Sequence, residues 1–171
     1  MTLSLAEGLV NAIVAYVEGN IAGKLLALDI EYAGSGITLV APVVTYKGLK
    51  SLGTIDNYPA FYAISMRQDI QPLAASSARG IEAMPEVSVG IVVLDQDMET
   101  LQIRLYRYGR ALVELMLEGH AFAGLDSWNL MTDQRWAVDM ETGLLDREGQ
   151  SSDFVGEVSL TMRGNKIETK L

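Results

Sequence analysis

The chain contains no cysteine, which excludes disulfides and thiolate metal sites. Histidine occurs once, at His120, so no multi-histidine metal centre can be assembled. A Ser-His-Asp arrangement would have to use that one residue, and no Gly-x-Ser-x-Gly elbow presents a nucleophile to it. Basic residues are few, with 13 Lys and Arg against 22 Asp and Glu and a formal net charge of -9. Holding nucleic acid requires clustered cations to neutralise phosphates, so this balance argues against a nucleic-acid-binding surface and suits surfaces that should not hold DNA. Aromatic residues make up only 7%, which leaves the filling of a core to aliphatic side chains. No apolar run reaches the ~18 residues that span a bilayer. The first basic side chain is Lys24, and Glu7 interrupts the early apolar stretch, which is not the pattern of a secretory leader. The expectation is a protein made and used in the cytoplasm.

What is present is a chain of 171 residues, 49% of them hydrophobic and 20% charged. That is enough for one domain over 1–171 with a real core. Leu5, Leu9, Ala12, Ile13, Tyr16, Val17, Ile21, Leu25 and Leu28 recur at steps of three and four and line one face of a helix. Ser4 and Glu7 have capping-box spacing at its start. Gly19 and Gly23 each weaken it by ~1 kcal/mol relative to Ala. Gly34-Ser35-Gly36 reads as its exit, being too short for a phosphate loop and lacking the Lys-Ser/Thr ending. A second helix runs from Met98 to about Glu118, burying Met98, Leu101, Leu105, Tyr108, Leu112, Leu115 and Met116, with Gly119 as its stop.

Four strands are expected: Tyr58 to Arg67, Val87 to Leu94, Asp133 to Met140 and Phe154 to Arg163. In the third, Trp136 alternates with polar neighbours and reads as core. The stretch 34–57 reads as an extended arm or loop. Within it Ile37 to Tyr46 is apolar and β-branched but broken by Pro42, which suits an edge strand or an arm. The spans 68–85 and 141–153 read as long hairpin loops, and 164–171 as a loose charged tail. The order α-β-β-α-β-β predicts an α+β fold: a mostly antiparallel sheet with two long helices packed on it, plus long loops.

Three groups invite a chemical reading. Asp95, Asp97 and Glu99 lack the Gly and distal Glu of a calcium loop and are better placed to cap the second helix. Asp139 and Glu141 have the acid–base residue types, but alternation on a strand makes them a hydrated face. Arg104, Arg107 and Arg110, interleaved with Tyr106 and Tyr108, form the one basic aromatic cluster. It could grip phosphate and stack on bases, pair with acids of its own chain, or cross a subunit interface. Trp128, in a connection where a large ring is hard to bury, is a candidate for packing on a neighbour. Pro42 and Pro72 lie on the segments that would reach one. No residue is assigned to catalysis, to a cofactor or to a metal.

Several short strings carry a resemblance: Asn11-Ala12-Ile13-Val14-Ala15-Tyr16-Val17, Asp56-Asn57-Tyr58-Pro59-Ala60-Phe61-Tyr62, then Val87 to Leu94 leading to Tyr106-Arg107-Tyr108-Gly109-Arg110-Ala111-Leu112, and a final strand pair. In element order and in these strings, residues 5–163 resemble the tail terminator and neck (head–tail connector) proteins of tailed bacteriophages. The resemblance implies a non-enzymatic virion protein. Its copies would join in a ring, commonly of six, that caps the tail tube and halts its growth. The expected partners are itself, the tail tube protein and the head–tail connector or stopper protein. DNA would pass through the lumen without sequence-specific binding, and no membrane or cofactor is involved. The alternatives are another phage ring component, such as a tail tube or head-completion subunit, or a small α+β ligand-binding or enzyme domain.

Overall fold

A computed structural model describes residues 5–48, 55–72, 79–121, 129–130, 136–145 and 153–170. Helix α1, Leu5–Glu31, is followed by a short turn of 3-10 helix at Ala33–Ser35 and then by strands β1 (Val44–Lys47), β2 (Ala60–Pro72) and β3 (Arg79–Asp95). Helix α2, Met98–Ala121, leads to β4 (Asn129–Leu130), β5 (Ala137–Leu145) and β6 (Asp153–Lys170). The class is α+β, with two helices on a mostly antiparallel sheet. Its order is β1-β2-β3-β6, with β5 on the far side of β6 and the two-residue β4 beside the end of that strand. Only β1 and β2 run parallel.

Both helices lie on one side of the sheet. Leu9, Ile13, Val17, Ile21, Leu25 and Leu28 of α1 are buried with Leu101, Leu105, Tyr108, Leu112, Leu115 and Met116 of α2. They pack against Phe61, Val87, Val89, Ile91, Val158 and Leu160, the alternate residues that a strand's period of two sends to one face. A smaller cluster of Ile55, Ala60, Tyr62, Val92 and Val155 forms on the opposite face. Trp136 is half-buried against the main core. Gly36, at φ 70°, closes the turn after α1 in the left-handed region that glycine enters freely.

Several expectations need correction. The span 68–85 is strand for most of its length, since β2 runs on to Pro72 and β3 starts at Arg79 in continuous antiparallel register from Gln68↔Pro85 to Pro72↔Ile81. Only 73–78, outside the described residues, remains between them. Likewise β5 continues to Leu145 and β6 begins at Asp153, so 141–145 and 153 are ladder and 146–152, outside the described residues, lies between them. The tail 164–170 is paired rather than loose, from Ala83↔Lys166 to Arg79↔Lys170. Polar strand ends of this kind are held by backbone hydrogen bonds, which hydrophobic periodicity does not register. Gly119 is not a stop: α2 runs past it, and a Cβ there would lie 2.9 Å from Tyr16 Cε1 of α1. Its absent side chain lets the helices close. The expected capping residue Ser4 and the candidate Trp128 lie outside the described residues. His120 falls in the last turn of α2 rather than beyond it, with its side chain outside the described set.

Candidate functional site

The arginine helix is built inward. Arg107 is only 7% exposed. Its guanidinium donates to the Ile37 carbonyl at 3.0 Å and to Ser35 Oγ at 2.8 Å, and it stacks on Tyr32 with 4.5 Å to the ring centroid. Arg110 donates to Glu31, Glu114 and the Tyr32 hydroxyl, each at 2.7 Å. Arg104 sits 2.8 Å from Asp95 Oδ2. That approach is off the angle of a hydrogen bond, so Asp95 Oδ2 and Arg104 Nε are both buried without a hydrogen-bond partner. Of the three arginines expected at an interface, Arg107 is therefore closed to a neighbour. Arg104 and Arg110 are engaged within the chain while partly exposed.

These side chains, with two from the helices, strap the expected arm to the body. Asp29 accepts from the Leu39 amide at 3.0 Å. The Tyr108 hydroxyl donates to the Val40 carbonyl at 2.7 Å and accepts from its amide at 3.1 Å. The Val43 amide then donates to the Pro59 carbonyl at 2.9 Å, and β1 begins one residue on. Residues 37–47 thus lie along the protein's own surface and finish as an edge strand beside β2. Pro42 is half-buried in that strap, while Pro72 is exposed at the end of β2. Among the described residues, Arg104, Arg107, Arg110, Pro42 and Pro72 are not gathered into one surface.

Asp95, Asp97 and Glu99 behave as a helix start. Asp97 Oδ2 accepts from the Thr100 amide at 2.7 Å, and Asp95 Oδ1 accepts from the Asp97 amide at 3.1 Å; the Thr100 side chain first, and its amide second, hold the Asp97 carboxyl below its usual range. Among the described residues no group of three or more His, Cys, Asp or Glu is placed to hold a metal ion.

Asp139 and Glu141 lie on a hydrated strand face as expected, and the structure adds that polar residues of four strands share that side of the sheet, turned away from the helices. Strand register puts Tyr62 and Ile64 of β2, Ser88 of β3, Glu157, Ser159 and Thr161 of β6, and Asp139 and Glu141 of β5 on this side. They line a groove of about 380 Å³. Glu141 and Glu157 are directly opposite cross-strand neighbours, a like-charge pairing that costs stability unless solvent or a partner relieves it. Tyr62 donates its hydroxyl to Glu157. Burial first, and the Glu157 carboxylate second, push the phenol well above its usual range, so it stays a neutral donor. The ring reaches Glu157 by crossing Gly90, where a Cβ would fall 2.5 Å from Tyr62 Cζ. The alternation Asp139-x-Glu141 was the available signal, but alternation alone cannot say which face the helices will cover.

The rest of the exposed surface includes apolar side chains on two strands and a helix. Val138, Met140 and Leu144 of β5 are 43%, 40% and 67% exposed, Val43 beside β1 is 60%, and Leu26 and Ile30 of α1 are 62% and 70%. Among the described residues no helix is long and apolar enough to cross a membrane. No protein-family model matches the chain, and no curated protein matches its sequence.

Proposed function

We propose that this protein is a structural subunit of a tailed-bacteriophage virion, a tail terminator or neck protein. Its copies form a ring, of six in the form the resemblance implies, that caps the tail tube and joins it to the head connector. The observation that carries the reading is the sheet face turned away from the helices, with Asp139, Glu141 and Glu157 on it. A wall of carboxylates set among hydroxyl groups repels DNA phosphates, and the arginines that register puts on the same face, Arg67 and Arg163, are paired with Asp69 and Glu86, which suits a channel for a sliding genome. The net charge of -9 supports the same reading. Arg107 and Arg110 of α2, which would grip a phosphate backbone, are occupied by Ile37, Ser35, Glu31 and Glu114.

Negative-stain microscopy and mass photometry of the purified protein test the proposal. Single rings that dock on the ends of added tail tubes are expected, without measurable DNA affinity at physiological salt. A monomer at every concentration that ignores tail tubes overturns it. Long stacks instead of single rings would transfer the assignment to the tube subunit, the first alternative. A small-molecule role is favoured by one feature only, the groove under Tyr62 and Glu157, and calorimetric titration with amines checks it.

A further inference from the structure

The sheet has two outer strands, β1 and β5, and no described strand pairs with the far side of either. From Val138 to Leu144 every residue of β5 is exposed. Such a strand offers a row of unpaired amides and carbonyls. Its helix-side residues are apolar apart from Thr142: Val138 and Met140 pair with Leu160 and Val158 and come within 3.8 and 3.4 Å of where a Cβ on Gly109 of α2 would stand. Leu144 continues that row. Asp139 and Glu141 lie on the face turned away from the helices.

At the other edge the helix side holds a complementary hollow. A groove of about 260 Å³ separates α1 from residues 41–45, lined among others by Val17, Ile21, Ala22, Pro42 and Val43. Glu18 also lines it; Lys47 of the same edge is held 2.7 Å from Asn11 of α1, and β1 itself carries no acid.

Strand direction decides how two copies would meet. β1 is parallel to β2, and the antiparallel steps β2–β3, β3–β6 and β6–β5 leave β5 running opposite to β1. Copies that continue one sheet, head to tail, therefore bring β5 of one against β1 of the next as an antiparallel pair, the more stable ladder. The apolar row of β5 then faces the groove beside Val43, and Asp139 and Glu141 fall beside Val44 and Tyr46 rather than beside acids. Pairing β5 with β5 of a second copy sets Asp139 and Glu141 of both copies on one face, a like-charge arrangement that is destabilising.

We infer that the β5 edge of one copy takes the β1 edge of another, a heterologous contact that closes into a ring or runs on as a filament. It rests on the self-assembly part of the function proposed above.

Because the chain lacks cysteine, engineered cysteines test this cleanly. Thr45→Cys is combined in turn with Met140→Cys, Thr142→Cys or Leu144→Cys, which scans the register, and each protein is oxidised mildly. A covalent ladder of multimers is expected for at least one double variant, with none for the single variants. Dimers from Thr142→Cys alone would mean β5–β5 pairing and overturn the inference. A second variant, Met140→Lys with Leu144→Lys, alters exposed side chains only. It should keep the circular dichroism of the parent while associating about tenfold more weakly or worse. If the parent assembles but no double variant cross-links and the lysine variant assembles normally, this contact is wrong and the ring reading stands. If the parent is monomeric throughout, both fall.

Discussion

Tyr108 and Val40 are tied by two hydrogen bonds through one hydroxyl, which donates to the Val40 carbonyl at 2.7 Å and accepts from its amide at 3.1 Å. Burial pushes this phenol up to about 12, so it remains protonated and able to donate. A residue in the middle of α2 thereby fixes the strap that delivers β1 to the sheet. Tyr108→Phe keeps the ring and strands both backbone groups. It should cost about 1–3 kcal/mol in urea unfolding and raise amide exchange at Leu39 and Val40 more than elsewhere.

Arg107 holds the same strap with a planar fork that a lysine cannot copy. In Arg107→Lys either the Ile37 carbonyl or Ser35 Oγ loses its partner, and the stacking on Tyr32 goes. A loss of about 1–3 kcal/mol is expected. Arg107→Lys combined with Tyr108→Phe should cost less than the two separate losses added, because either change alone already loosens one shared segment. Strict additivity would mean the strap is not a unit.

Gly119 and Tyr16 set the closeness of the two helices. Alanine at 119 gains ~1 kcal/mol of helix propensity. Its Cβ would lie 2.9 Å from the Tyr16 ring, and overpacking of that kind costs about 1–3 kcal/mol. Gly119→Ala should therefore lower the melting temperature in the native background. In a Tyr16→Ala background the clash is gone and the same change should raise it. Failure of the sign to reverse would show that the ring does not set the spacing.

Lys24 of α1 lies between Glu114 and Glu118 of α2, and Arg110 also grips Glu114. Arg110 first, and Lys24 second, hold the Glu114 carboxyl below its ordinary value of 4.5. This contribution is complete above that value and is lost as pH falls through the lowered folded-state value. Lys24 is raised above 10.5, by Glu118 first and then by Glu114. Its contribution is complete below 10.5 and is lost as pH rises through the higher value. Glu114→Gln should flatten the acid limb of a stability–pH curve, and Lys24→Met the alkaline limb. Each effect is ~1 kcal/mol or less, because these pairs are partly exposed and screened.

The Tyr62 ring covers Gly90 on its way to Glu157. Gly90→Ala should cost about 1–3 kcal/mol by overpacking and should tilt the ring off Glu157. Loss of the high phenol titration in ultraviolet absorbance would report that movement. An unchanged titration in a folded Gly90→Ala protein would show that the ring does not depend on the missing Cβ.

Side chains that choose their own face were readable in advance. The stripes Leu9-Ile13-Val17-Ile21-Leu25 and Leu101-Leu105-Tyr108-Leu112-Leu115 repeat at helical spacing and are all buried. Val87, Val89 and Ile91 alternate and fill the sheet's helix side. Pro42 correctly kept its segment out of the sheet centre, and β1 is an edge strand that starts just beyond it. The span 68–85 read as a loop, yet the ladder accommodates its prolines at 72 and 85. Pro72 stands at the end of β2, and the β3–β6 pairing skips Met84 and Pro85.

The amino-acid order by itself settled the two helices, the apolar stretches of β2, β3 and β6 and the acidic balance, because each follows from residue type and local period. Tertiary structure alone decided that Arg107 turns inward, that Gly119 is a crossing point rather than an end, and that Asp139, Glu141 and Glu157 share the face turned away from the helices. Each of these depends on which distant residue arrives opposite. Backbone pairing and helix crossing fix that partner, and neither leaves a mark on the neighbours in sequence.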